Sequence, residues 1–400
     1  MDDEFNPRLD NGCVTGQFTP PSTAPSTAET AAPPREVVVT DPDRLDRALL
    51  QGAHAWEASR GELALLCVPG MVDLHARRLE MLAAVLGYPF SPEEMARVRS
   101  SVEQHTQEGF TASPYSQLLV RYAPAPPPRR GLVWDIRAVA ISYSDRAKLF
   151  LQYRPPEDCN RYPDAKVLDV AAALTAQTPA AAVPVLDVGA GTGRNAIPLA
   201  RRGHPVDAIE FTAEMLDTIR QLANDAGVAI DLMEQDIRDP AFTPRADRYG
   251  LILLSGVVQY FSDPAQLSIL LAKLAPALRP GGQILMDCFV TTEGYDPTPL
   301  ARQLSYVTDS FLLRPTELVG AIAGLPLRVV SDESALAYER AHLSPEALGA
   351  REWLEPWATG DRLFPLGEHQ RPPLSLRWVL FERVAHGFTD STDSTDQATD

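Results

Sequence analysis

The stretch PVLDVGAGTGRN, residues 184–195, decides how this chain folds. An apolar run ends in Asp187, glycines stand at 189, 191 and 193, and helix-forming residues begin near Arg194. Glycine lets a backbone approach a ligand closely, and the N-terminus of a following helix offers unpaired N–H groups. The spacing excludes two nucleotide loops. A dinucleotide fingerprint counted from Gly189 needs a glycine at 194, where Arg194 stands, and no Gly-Lys-Ser/Thr triplet exists for a phosphate-cradling loop.

Downstream, short apolar runs alternate with helical patterns, which predicts a βαβ domain. HPVDAIEFT ends a second strand in Glu210, 23 residues after Asp187, and LMEQDIRD sets Asp236 after a third. YGLILLSGVVQYF is a fourth strand with its loop. Asp263-Pro264 opens a helix that runs to ALRPGG, QILMDCFV is a fifth strand, and SLRWVLFERV (375–384) is the last. FLLRPTELVGAIAGLPLRVV between them reads as helix, loop and strand.

The DxGxGxG loop, the two strand-end acids and the LRPGG turn resemble the class I S-adenosylmethionine-dependent methyltransferases. The resemblance covers roughly residues 164–290 and extends toward Val384. GAGTGRN and the VVQYF loop look most like the tellurite-resistance, small-molecule branch. The resemblance implies an α/β, Rossmann-like sheet, mostly parallel, with the last strand antiparallel beside the fifth. It implies S-adenosyl-L-methionine as cofactor, Glu210 on the ribose hydroxyls and Asp236 at the adenine amine. The residue types suit that ligand, which needs an acid for vicinal hydroxyls, an acceptor for an amine, close backbone approach and apolar walls. Asp187, Gly189, Ala190, Gly191, Gly193, Glu210, Phe211, Asp236, Ile237 and Ser255 form the expected cofactor set. Asp187 can reach the ammonium end. Arg194 pairs either with the cofactor carboxylate or with a neighbouring acid, and for Glu210 a solvated helix-cap role is the plain alternative.

Methyl transfer from a sulfonium is an in-line displacement, so alignment of nucleophile, methyl and sulfur carries much of the catalysis. A base is needed only when the nucleophile arrives protonated, and no catalytic residue is assigned. Ligands of open α/β sheets bind outside the carboxyl ends of the strands. That rule selects Gln259, Tyr260, Glu293 and Tyr295 as the substrate pocket, with core packing as the alternative for Tyr260 and Phe261. His204 reads as structural, and His54, His75 and His105 as surface histidines. Trp353 and Trp357 read as core, with a lid as the minority reading.

Residues 41–155 form an expected N-terminal α+β accessory or cap domain. From about 41 to 110 the pattern is helical: Leu45, Leu49 and Trp56 suit one helix face, Met71–Leu86 is an apolar helix, and Ser91-Pro92 opens a third. The apolar residues Trp56, Met71, Leu74, Leu79, Leu82 and Val85 must bury. SQLLVRY (116–122) and LVWDIRAVA (132–140) read as antiparallel strands joined by a proline-rich linker. Residues 1–40 and 387–400 read as disordered tails, and 156–386 as the methyltransferase domain.

The net charge is −17, of which the two tails carry −8. An acidic chain without a basic stripe argues against nucleic acid as partner. The four cysteines form no CxxC, so neither a metal site nor a disulfide framework is expected. No apolar stretch reaches membrane-spanning length and no basic leader opens the chain, which predicts a cytoplasmic protein with no membrane partner. The function expected is methylation of a small molecule. A cofactor-binding sensor without turnover is the alternative, and a homodimer the alternative role for the N-terminal helices.

Overall fold

The computed structural model describes residues 37–53, 59–129, 131–153 and 162–384. Trp56, His54 and nearly all of both expected tails lie outside them. The chain divides into two compact units, 1–141 and 142–400.

The first unit holds helix α1 (Pro42–Ala53), strand β1 (Gly61–Leu66), helices α2 (Val72–Val85) and α3 (Pro92–Ala112), and strands β2 (Gln117–Pro124) and β3 (Leu132–Val139). Ser91 and Glu94 close a reciprocal capping box at the start of α3, where Pro92 costs no hydrogen bond. β1, β2 and β3 form an antiparallel sheet in that order. Leu79, Val102, Leu118 and Val120 are its buried core.

Three expectations fail here. GELALL is a strand rather than part of a helical run, because its period-2 pattern finds a partner in β2, with Gly61 opposite Tyr122 and Leu66 opposite Gln117. Val85, expected to bury, is 79% exposed. His75 is buried, its Nε2 at 3.0 Å from the Leu66 carbonyl.

The second unit begins with α4 (Tyr143–Tyr153), so that helix goes with the larger unit rather than with the N-terminal part. There follow α5 (Ala165–Leu174), β4 (Val185–Val188), α6 (Ala196–Arg201), β5 (Val206–Glu210), α7 (Ala213–Asp225), β6 (Asp231–Glu234) and β7 (Tyr249–Leu254). Then come α8 (Pro264–Leu274), β8 (Leu278–Thr291), α9 (Pro299–Val307), β9 (Leu312–Leu313), α10 (Pro315–Gly320) and β10 (Leu327–Ser334). The unit ends with α11 (Ala335–His342), α12 (Pro345–Gly349), α13 (Leu354–Ala358) and β11 (Leu374–Arg383).

The sheet runs β10-β11-β8-β7-β4-β5-β6. β4, β5, β6, β7 and β8 pair in parallel, and β11 is antiparallel to both β8 and β10. This is the Rossmann-like order of the class I fold, with the last strand reversed beside the fifth. Strands buried on both faces read as continuous apolar runs, and VLDV and YGLILL are buried throughout. Leu186, Val188, Ile252 and Leu254 face α8 and α10 in one core. Val185, Leu251 and Leu253 face α5, α6, α11 and α13 in the other. Alternation therefore sends Asp187 to the second face, at the tip of β4. Trp357 packs edge-on against Phe289 at 5.2 Å and donates from Nε1 to the Asp309 carbonyl, while Trp353 is 38% exposed. Only the first of the two tryptophans expected in the core is therefore absent from it.

Candidate active site

The glycine loop leaves β4 in left-handed backbone, with φ of 69° at Gly189, 55° at Gly191 and 86° at Gly193. Its three glycines do different work. A Cβ on Gly189 would lie 2.8 Å from Val257 Cγ2, and one on Gly193 3.0 Å from Ile197 Cδ1, whereas one on Gly191 meets nothing within 4 Å. The outer two let neighbours pack; the middle one faces open space. Gly189 and Ala190 donate their N–H groups to the Ile209 carbonyl at 2.8 and 3.0 Å, which ties the loop to β5.

Glu210 ends β5 almost fully buried. Its Oε2 accepts from Gly191 N at 3.1 Å, and its Oε1 accepts from Phe211 N, Thr212 N and Thr212 Oγ1. The carboxylate thus stands beside the open face of the loop, held from behind by its own strand end. Phe211 packs edge-on against Tyr143 of α4 at 5.2 Å, and the Arg238 guanidinium lies 5.1 Å from the Tyr143 ring and 5.7 Å from Phe211. Arg238 donates from Nη2 to Asp236 Oδ2 at 2.8 Å, so Asp236 is paired here. Ile237 packs against the first core.

On the other side of the loop lies a buried polar hub. Asp164, the residue before α5, accepts from Arg194 Nη1, from Arg351 Nη1 at 3.1 Å, from Asn195 Nδ2 at 2.9 Å and from Ser255 Oγ at 2.8 Å. Of the two partners expected for Arg194, the structure supplies the neighbouring acid. Burial works against the Asp164 charge, but the Arg194 and Arg351 guanidiniums hold its carboxyl below the usual range. Asp187 differs. Burial pushes its carboxyl up to about 7, opposed by Arg194 and reinforced by Asp164. Burial also pushes Asp287 of β8 up to about 6, against the Gly256 N–H that it accepts at 2.7 Å.

The expected substrate set divides. Gln259 is buried, donates from Nε2 to the Asp287 carbonyl at 3.4 Å, and leaves its Oε1 unpartnered. Tyr260 is 41% exposed beside it, so it is not a core aromatic, whereas Phe261 is buried. Glu293 is exposed, and Tyr295 sits edge-on to Phe364 at 6.3 Å. His204 is structural as expected, its Nδ1 at 2.9 Å from the Val183 carbonyl. Among the described residues, no cluster of His, Cys, Asp and Glu suits a metal, and no helix is long and apolar enough to cross a membrane.

Sequence reasoning missed Asp164, Tyr143, Arg238, Glu339 and Arg351. Asp164 carried a faint signal, standing where a helix cap belongs. Arg351 carried none, since its partner lies 187 positions earlier.

The residues fit S-adenosylmethionine. Gly191 opens where a side chain would block approach, and the Glu210 carboxylate stands beside it. Residues 185–282 match the family model described as a methyltransferase domain. The chain is 37% identical over 115 residues to the tRNA 5-carboxymethoxyuridine methyltransferase of Escherichia coli (strain K12), covering 28% of this chain and 41% of that one. It is 28% identical over 202 residues to a ubiquinone biosynthesis O-methyltransferase of Chelativorans sp. (strain BNC1), covering 47% and 77%. A geranyl diphosphate methyltransferase solved in complex with SAM superposes with a TM-score of 0.41 at 16% identity, covering 60% and 90%. The chain thus spans about two-fifths of the length of the E. coli relative. Residues 185–282 are accordingly similar to a methyltransferase domain, carried on a sheet of class I order.

Proposed function

We propose that this protein transfers a methyl group from S-adenosylmethionine to a small-molecule acceptor. The observation that carries the reading is the Glu210 carboxylate beside the open face of Gly191, at the adjoining tips of β5 and β4. When bound, the cofactor supplies an electrophilic methyl on a sulfonium. Glu210 accepts the ribose hydroxyls, Phe211 and Ile237 wall the adenine, and Asp236 accepts its amine. Asp187 faces the ammonium end. The tips of β7 and β8 then offer Gln259 and Tyr260 to the acceptor, with Glu293 and Tyr295 on the following loop. Gln259 supports this, because a buried carbonyl oxygen without a donor is costly unless a ligand completes it. The N-terminal unit helps choose the acceptor.

A tRNA acceptor is the second reading, favoured by the activity for which the E. coli relative is named and opposed by the −17 charge of the chain. The test is transfer of label from methyl-labelled S-adenosylmethionine to a panel of small hydroxy, amino and thiol compounds, with bulk tRNA as a separate arm. Labelled small molecules are the expected result. Label in tRNA alone would establish the second reading, and cofactor binding with no transfer in any arm would favour a sensor.

A further inference from the structure

Arg351, two residues past α12, is the far end of the hub around Asp164, and it lies well outside the matched segment 185–282. Its side chain is 6% exposed. It donates from Nη1 to Asp164 Oδ1 at 3.1 Å, donates from Nη2 to the Tyr162 carbonyl, and stands 3.5 Å from Glu339 Oε2. Glu339, on α11, in turn accepts from the Ala165 and Lys166 N–H groups at 3.0 and 3.2 Å, and from Trp378 Nε1 at 3.2 Å. Two acids and one guanidinium therefore fasten the start of α5 to the C-terminal part of the unit.

What Asp164 holds on its other side matters more. Its remaining bonds go to Arg194 and Asn195, the two residues after Gly193, and to Ser255 at the tip of β7. The adenosine-facing residues stand elsewhere, Glu210 and Phe211 at the tip of β5 and Asp236 and Ile237 past β6. β7 and β5 flank β4 on opposite sides, so the hub serves one end of the cofactor and the acids at β5 and β6 serve the other. A buried ion-pair cluster is a poor source of stability, since desolvation offsets most of its attraction. What the bonds named above fix here is the position of Arg194, Asn195 and Ser255 about Asp164.

We propose, building on the cofactor reading above, that Arg351 is a positioning residue for the methionine end of S-adenosylmethionine. It fixes Asp164, and through it Arg194, Asn195 and Ser255, against the amino-acid tail of the ligand. The substitution Arg351→Met leaves Asp164 with one guanidinium instead of two and frees the loop end. Arg351→Lys keeps the charge but cannot span Asp164 and the Tyr162 carbonyl with one planar fork.

Calorimetric titration of the full chain with S-adenosylhomocysteine and with 5′-methylthioadenosine, which lacks the amino-acid tail, separates this from a structural role. Arg351→Met should weaken S-adenosylhomocysteine at least tenfold and methylthioadenosine less than threefold. Should Arg351→Met fail to fold, Arg351→Lys carries the test, with at least a threefold loss for the first ligand alone. Equal losses for both ligands, or no loss for either, overturn the proposal. A wild-type chain that binds neither ligand overturns the cofactor reading itself, which a selective change in the variants cannot do.

Discussion

Once ionised, the buried Asp187 carboxylate lowers the stability of the fold. Its folded-state pKa of about 7 lies above the ordinary carboxylate value, so between about pH 4 and 7 the folded protein keeps a proton that the unfolded chain has lost. Stability therefore falls as pH rises through that window, and the full cost is present above it. Asp187→Asn should raise the melting temperature at pH 8 and leave it unchanged near pH 3.5. The same variant should bind S-adenosylhomocysteine at least tenfold more weakly at pH 8, because a charge-assisted bond contributes about 1.5–3 kcal/mol. In the wild type, affinity should climb with pH toward about 7 and then level, since the ammonium selects the ionised carboxylate. A variant that gains stability without losing affinity would remove Asp187 from the site. Gly191→Val tests the neighbouring idea. It should still fold, since the Cβ meets open space, at a strain of about 1–3 kcal/mol for a side chain at positive φ. Equilibrium dialysis should detect no S-adenosylhomocysteine bound to it.

Elements whose meaning is local were plain in the sequence, and those completed by distant partners were not. The capping box of Ser91 and Glu94 and the proline-led start of α8 at Asp263-Pro264 are written within four residues. The β4 loop is equally local, because left-handed backbone at three alternate positions demands glycine. β1 was hidden because six residues with period 2 hold a strand only if β2 comes to meet them. The cap of α5 was hidden more thoroughly, since Glu339 reaches its N–H groups from 174 positions away. Hence the cofactor loop could be read and its buttress could not. Glu339→Ala should lower unfolding free energy by at least about 2 kcal/mol in urea titrations, because it orphans two helix N–H groups and the Trp378 donor in a buried setting. A loss below about 0.5 kcal/mol would show that water replaces the carboxylate.

At the scale of the molecule, each unit has a core of its own. A protein beginning at Ser142 should therefore fold and bind S-adenosylhomocysteine within about threefold of the full chain, while losing methylation of its acceptor. Full activity in the shortened protein would end the idea that the first unit selects the acceptor, and a change in sedimentation alone would make that unit an assembly module. The order of the larger sheet has a further outcome, in the making of the protein. β11 lies between β8 and β10, pairs with β8 at nine positions and, among the described residues, is the only strand paired with β10. Ribosomes deliver it after every other strand among the described residues. Until residues 374–383 emerge, β8 presents an open apolar edge and β10 has nothing to join, and such edges recruit other chains. A stalled or prematurely stopped product ending near residue 370 is thus a nascent chain with the loop already written and the sheet unable to close, one that cells must hold on a chaperone or destroy.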